Sequence, residues 1–361
     1  MNKVIVACAG SGKTTYIVNK ALGLKNKKIL ITTFTDSNVE EIKNKIIEVN
    51  GAIPSNIYIL PWFTFQLDHL IRPYQLALID EKIKDIIMTN GASTKYISKN
   101  SKCYFIKNGS IYSDKIAHLA YKTIVDKPQT ITRLKLIFNY IFIDEFQDFS
   151  GYDLELIKKF AYNNFNIEIV CDPRQHTFST HFDSKNKKYM CEPLKFVQEE
   201  CKNLFEIDNE LLNGSYRCPR NTIMYASEIF PEYPPSPSLK KHENGDGVWF
   251  VPESKTDLFL KENMNCLQLR DSKTKKVNEL YDVSTFGKSK GLTVENCLIY
   301  PTKIMCDAIL NLDFKILKPK SKSDLYVALT RARHKTGIII PDSQCEKYYI
   351  VKQHIDQYLN D

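Results

Sequence analysis

The sequence predicts an α/β protein in which parallel sheets are flanked by helices, arranged as two such domains with a small, mostly helical insertion. Three observations predict it. Residues 4–15, VIVACAGSGKTT, read as a strand, a loop of small residues and the start of a helix. Residues 140–148, YIFIDEFQD, read as a strand buried on both faces and closed by an acidic pair. After a proline-rich stretch at 231–237, a second series of short apolar strands runs from VWFV (248–251) to GIII (337–340). Strands alternating with helical patterns, with acids at strand C-termini, indicate doubly wound parallel sheets.

The first element carries the strongest chemical signal. Gly10 and Gly12 allow the backbone to curl so that successive N–H groups face an anion. Lys13 adds a point charge for terminal phosphates, Thr14 offers a hydroxyl to Mg²⁺, and the helix that follows adds its dipole. Ala9, Gly10, Ser11, Gly12, Lys13, Thr14 and Thr15 are therefore the candidate nucleotide-binding residues. The phosphate-loop pattern is met except that Ala7 stands at its first glycine position.

Further along, ILITTFT (29–35) reads as a second strand by its β-branched content. Ser37 is placed to cap the next helix, with Val39, Ile42, Ile46 and Val49 as its apolar face and Gly51 at its end. IYIL (57–60) is a third strand, followed by Trp62, Phe63 and Phe65. Residues 66–137 change to helical patterns between Lys-, Ser- and Asn-rich loops and carry no chemical motif. IEIVC (167–171) is a strand ending at Asp172. CLQL (266–269), YDVST (281–285) and CLIY (297–300) complete the second series.

Length and composition fit this plan. At 361 residues the chain is long enough for two or three domains. Its net charge of +8 is compatible with a polyanionic partner and equally with plain solubility. Ten cysteines form no C-x-x-C pair and no zinc spacing, as expected of a reduced, cytoplasmic chain. No run of about 18 apolar residues is present, so no transmembrane helix and no membrane partner are expected.

A phosphate loop needs a metal ligand and a base. Asp144 is placed to hold Mg²⁺ and Glu145 to orient and deprotonate an attacking water. Charge developing on the γ-phosphate calls for cations, and Arg217 in GSYRCP and Arg331 in LYVALTRAR are the candidates.

The segments AGSGKTT, TTFTDSNVEEIKNKI, IDEFQD, DPRQ, SYRCP, STFGKSKGLTVENCLIYP and LYVALTRAR occur in this order. The ordered set resembles superfamily 1 helicases of the UvrD/Rep/PcrA kind. That resemblance implies two RecA-like P-loop domains, the first at 1–65 plus 138–215 and the second at 216–361, with 66–137 as the small helical insertion. It implies ATP and Mg²⁺ as ligands. Gln175 corresponds to a γ-phosphate sensor, Tyr216 to an aromatic that stacks on adenine, and Arg217 and Arg331 to arginine fingers. Phe34, Thr35 and the Trp62–Phe65 stretch, Phe63 included, correspond to single-stranded DNA contacts, although core packing explains the phenylalanines equally well. Lys288, Ser289 and Lys290 correspond to a loop that holds the DNA backbone. The compact form is similar to the helicase-like subunit of the Gabija anti-phage system, which pairs with an OLD-family nuclease having a TOPRIM domain.

The chain departs from the pattern at several points. A glutamine motif ahead of the phosphate loop is not found, Thr180 stands where a base-stacking aromatic is usual, Gly287 replaces a histidine, and Thr293 replaces an acid. The large insertion of full-size relatives between Arg217 and Ser284 is missing. Two functions stay open: a DNA-dependent ATPase motor acting on single strands or DNA ends, and a nucleotide- or DNA-sensing ATPase that controls a partner nuclease with little unwinding.

Overall fold

A computed structural model describes residues 2–89, 91–176, 185–241 and 243–359. Thr180 lies outside them. In chain order the strands are β1 (Asn2–Ala7), β2 (Ile29–Thr33), β3 (Ile57–Pro61), β4 (Asp85–Ile87), β5 (Ile106–Lys107), β6 (Ser110–Tyr112), β7 (Tyr140–Ile143), β8 (Asn166–Cys171), β9 (Phe205–Leu212), β10 (Gly247–Pro252), β11 (Cys266–Arg270), β12 (Val283–Thr285), β13 (Val294–Tyr300) and β14 (Ala332–Ile340). They build three sheets, ordered β3-β2-β7-β8-β1-β9, β10-β14-β13-β11-β12 and β4-β6-β5.

The chain divides into two compact units. Unit 1 comprises residues 1–5, 13–173 and 178–208, and unit 2 comprises 6–12, 174–177 and 209–361. The division follows contacts rather than continuous segments, so the loop residues Val6–Gly12 and the Arg174–Gln175 stretch group with the C-terminal part of the chain.

In unit 1, β2 pairs in parallel with β3 and with β7, and β7 with β8, with Ile31 opposite both Ile59 and Phe142. All five residues of β2 and the last three of β7 are buried, as a strand covered on both faces requires. Helix α1 (Lys13–Gly23) buries Ile17, Val18 and Ala21. Helix α2 (Asp36–Asn50) begins two residues earlier than a Ser37 cap would place it. Thr35 is its N-cap, its hydroxyl accepting from the Asn38 N–H at 3.2 Å. Gly51, at φ +77°, ends the helix as expected. Its buried stripe is Val39, Ile42 and Ile46, while Val49 is exposed.

The 66–137 segment holds helices at Ile116–Asp126 and Gln129–Ile137 but also the three-stranded sheet of β4, β5 and β6. Those strands are two or three residues long. In unit 2 every pairing of the five-stranded sheet is parallel. One face packs Val248, Leu269, Ile299 and Ile338 against Leu325 and Leu329 of the Pro319–Leu329 helix, and Ala9 joins that core.

Candidate nucleotide site

In unit 1, β7 delivers Asp144 and Glu145 as its backbone leaves the sheet. The Asp144 N–H still donates to Thr32 O at 2.9 Å, so the strand end is pinned beside β2. Glu145 then takes the left-handed conformation at φ +56°, a strained backbone for a non-glycine residue. Its N–H donates to Asp144 Oδ1 at 2.9 Å. Asp144 is 3% exposed, and burial, with the Glu145 charge beside it, pushes its carboxyl up to about 7; the positive charge of Lys13 opposes that rise. Lys13 and Thr14 are half-buried at the start of α1, and Thr15 is exposed.

Unit 2 holds the rest of the phosphate loop. Gly10 (φ +72°) and Gly12 (φ +83°) take the curl that the motif requires. A Cβ at Gly10 would stand 2.5 Å from Arg217 Cβ, so no side chain fits there. Tyr216 donates its N–H to Gly10 O at 2.9 Å and leaves its ring 67% exposed. Arg217, half-buried, donates through one terminal nitrogen to Thr330 O at 3.2 Å.

Arg331 is buried and engaged at every donor position. Nε donates to Val327 O at 2.8 Å. One terminal nitrogen donates to Leu292 O at 3.2 Å and Ser289 O at 3.5 Å. The other donates to Gln175 Oε1 at 3.2 Å and Thr330 Oγ1 at 3.4 Å. The structure thus brings together Gln175, Arg331 and the 288–292 loop, with Thr330 joining Arg217 to them. Within that loop Lys288 is exposed and Lys290 half-buried. Ser289 is fully buried, its hydroxyl donating to Phe286 O at 2.7 Å. In unit 1, Phe34 and Phe63 are half-buried and meet edge to face, with Phe34 also 5.3 Å from Phe149 between ring centroids.

Taken unit by unit, these residues suit parts of a magnesium nucleotide. Ser11 Oγ is buried with no hydrogen-bond partner among the described residues, an atom that an arriving oxyanion would satisfy. Asp144 and Thr14 are hard oxygen donors of the kind Mg²⁺ takes. Another group with metal-ligand spacing, Glu243, Asp246 and His334, already has a cation: Lys240 Nζ donates to Asp246 Oδ2 at 2.5 Å.

The family described as UvrD/REP helicase N-terminal domain matches residues 1–67 and 89–181, on both sides of the start of the insertion. That match lies within the amino-terminal half of the chain. A probable DNA helicase II homolog of Mycoplasma capricolum subsp. capricolum is 24% identical over 169 residues, 46% of this chain and 23% of that protein. The ATP-dependent DNA helicase Rep of Buchnera aphidicola subsp. Acyrthosiphon pisum is 22% identical over 237 residues, 49% of this chain and 36% of that protein. The matches therefore span only about a quarter to a third of these relatives. Among solved structures, the arterivirus nonstructural protein 10 helicase aligns at a TM-score of 0.49 and 15% identity over 97% of this chain and 62% of that one. Its complex with DNA aligns at 0.48 and 14%, over 97% and 63%.

Three residues at the site carry no role in the sequence reading. Gln147 is fully buried; its amide nitrogen donates to Glu145 Oε2 and its amide oxygen accepts from the Asp172 N–H at 3.2 Å, which orients the acid. Arg174 and Tyr326 both reach the phosphate loop in unit 2. Gln147 lies within the DEFQD run, two residues after Glu145, in the short turn that follows β7. For Arg174 and Tyr326 no local signal exists, because their partners are far away in sequence.

Proposed function

We propose that the chain is an ATP-hydrolysing motor of the UvrD-like class that binds single-stranded DNA or DNA ends, cytoplasmic, and working as a subunit of a larger assembly. The observation that carries the reading is the acidic pair at the end of β7, with Asp144 held at about 7 by burial and by Glu145 beside it and with the Lys13 charge opposing. A carboxyl in that state gains from a divalent cation. Thr14 and Asp144 would hold a Mg²⁺, which would supply charge neutralisation to the phosphates.

The chain's own residues then do the following. The N–H groups of Gly10, Gly12 and Lys13 and the Lys13 ammonium bind the phosphates, and the Tyr216 ring stacks on the base. Glu145, steadied by Gln147, orients a water and takes its proton as the water oxygen bonds to the γ-phosphorus. The bond from that phosphorus to the β-γ bridging oxygen breaks, releasing ADP and phosphate. Gln175 reads the γ-phosphate, and Arg217 and Arg331 stabilise its charge. Phe34, Thr35, Phe63, Lys288 and Lys290 take the DNA strand.

A second reading is a sensing ATPase that controls a partner such as an OLD/TOPRIM-type nuclease in anti-phage defence. The engagement of every Arg331 donor position favours it, since such an arginine must be released before it can act.

The test is ATP turnover with and without single-stranded DNA at two salt concentrations. The motor reading expects DNA-stimulated turnover that weakens with salt. Glu145→Gln should lower turnover by a factor on the order of 10² or more while nucleotide still binds. Turnover that ignores DNA until a nuclease partner is added selects the second reading, and retained turnover in Glu145→Gln removes Glu145 as the base.

A further inference from the structure

The first four residues of the phosphate loop each commit one backbone group to other parts of unit 2. Ala7 O accepts from an Arg174 terminal nitrogen at 3.0 Å. The Cys8 N–H donates to Leu212 O at 3.1 Å. The Ala9 N–H donates to the Tyr326 hydroxyl at 3.3 Å. Gly10 O accepts from the Tyr216 N–H. Buried backbone groups must be paired, so these bonds decide which amides remain to face an anion. With Cys8 and Ala9 turned away, and with the Ser11 N–H donating within the loop to Cys8 O at 3.4 Å, the donors left are those of Gly10 and of Gly12 onward.

Two of the four bonds come from one buried assembly. Arg174 is 1% exposed. Its other terminal nitrogen donates to Ser236 Oγ at 3.1 Å. Its guanidinium lies 5.6 Å from the Tyr233 ring centroid and 5.5 Å from that of Tyr326, within cation–π range. Tyr326, fully buried, therefore holds Arg174 with its ring and Ala9 with its hydroxyl. Its own carbonyl accepts both the Thr330 N–H at 3.1 Å and the Thr330 hydroxyl at 2.8 Å. Tyr326 thus fixes the phosphate loop at one end of its residue and the turn leading to Arg331 at the other.

We infer that Arg174 and Tyr326 are positioning residues for the nucleotide: a cation–aromatic brace that presets the phosphate loop and registers it to the Arg331 turn. The brace touches no phosphate. It acts by holding the loop in its binding shape before the ligand arrives, which spares the ordering cost on binding. The inference rests on the nucleotide-binding reading of the loop.

The experiment measures the Kd of a non-hydrolysable ATP analogue with Mg²⁺, and KM and kcat for ATP, on the full chain. The variants are Tyr326→Phe, Arg174→Lys and Arg174→Met. Tyr326→Phe keeps the ring and removes the hydroxyl that accepts from the Ala9 N–H, so nucleotide affinity should fall by roughly three- to tenfold, appearing in KM more than in kcat. Arg174→Met should weaken binding by about tenfold or more, and Arg174→Lys, which keeps the charge between the rings but not the fork, should fall between it and wild type. If Arg174→Met does not fold, Tyr326→Phe and Arg174→Lys decide. Variants that unfold at lower temperature yet bind within about twofold of wild type make the brace merely structural and overturn the inference. A wild-type chain that binds no nucleotide overturns the parent reading as well, whereas wild-type binding matched by Tyr326→Phe overturns the inference alone.

Discussion

Asp144 and Arg331 are both buried to within a few per cent, both belong to the expected chemistry, and the chain treats them in opposite ways. Asp144 has one hydrogen bond among the described residues, from the Glu145 N–H, and a second carboxylate for a neighbour. Its charge is left unbalanced. Arg331 finds five acceptors among the described residues for its five N–H groups, and these five are neutral oxygens. The difference separates two kinds of readiness. The acid waits for a cation, because its surroundings penalise the charge it must carry. The arginine is already held, because carbonyls of the 288–292 loop and of its own helix end, with Gln175 and Thr330, supply what a ligand otherwise would.

The largest effect should follow from breaking the held end. Arg331→Ala removes the arginine's donor from Leu292 O and one of two donors from Val327 O and Ser289 O, which keep the Thr330 hydroxyl at 3.4 Å and the Leu292 N–H at 3.0 Å, so it should destabilise unit 2 by on the order of 2 kcal/mol as well as lowering turnover. Arg217 makes one side-chain hydrogen bond among the described residues, to Thr330 O. Arg217→Ala should therefore cost turnover, roughly a hundredfold, with little change in thermal stability. Thermal unfolding and ATP turnover on both variants check this pair. Equal loss of stability in the two would erase the distinction between a held and an available arginine.

The unbalanced end should show itself in pH. In the folded chain the Asp144 carboxyl holds its proton up to about 7, whereas in the unfolded chain it loses it near the ordinary carboxylate value of 3.8. Its contribution to stability is full below the unfolded value and is lost as pH rises through about 7. A metal ligand must be deprotonated, so affinity for Mg²⁺-nucleotide should rise over the same range with release of one proton. Unfolding and Mg²⁺ titrations on either side of that pH, in wild type and Asp144→Asn, measure both trends. A stability profile unchanged by Asp144→Asn would mean that the acid is not strained.

How far the sequence reveals these arrangements depends on the range of the forces involved. The curl at Gly10 and Gly12 and the buried run of β7 are local, and both are legible in a few residues. The cap of α2 is nearly so: Thr35 and Ser37 are equally able to cap, and the end of β2 at Thr33 selects Thr35. The β4–β6 sheet is hidden because strands of two or three residues carry no periodicity. Ser289 reads as a polar, phosphate-facing residue, yet its hydroxyl closes the turn on Phe286. The saturation of Arg331 and the Arg174–Tyr326 brace depend on partners distant in the chain, and no window of sequence contains them.

The smallest effect tests whether the loop that holds Arg331 also works outward. Its backbone meets the arginine through Ser289 O and Leu292 O, while Lys288 in the same turn is exposed. One segment can then serve two partners without conflict, carbonyls inward and ammonium outward. An exposed lysine that contacts a phosphate adds one released counterion and no sequence preference. Lys288→Ala should therefore weaken single-stranded DNA binding about evenly across sequences and reduce the salt slope by about 1. Affinity measured over a salt series checks it. An unchanged slope would take Lys288 off the DNA path and leave the 288–292 loop with its inward role, the holding of Arg331, as the one the geometry supports.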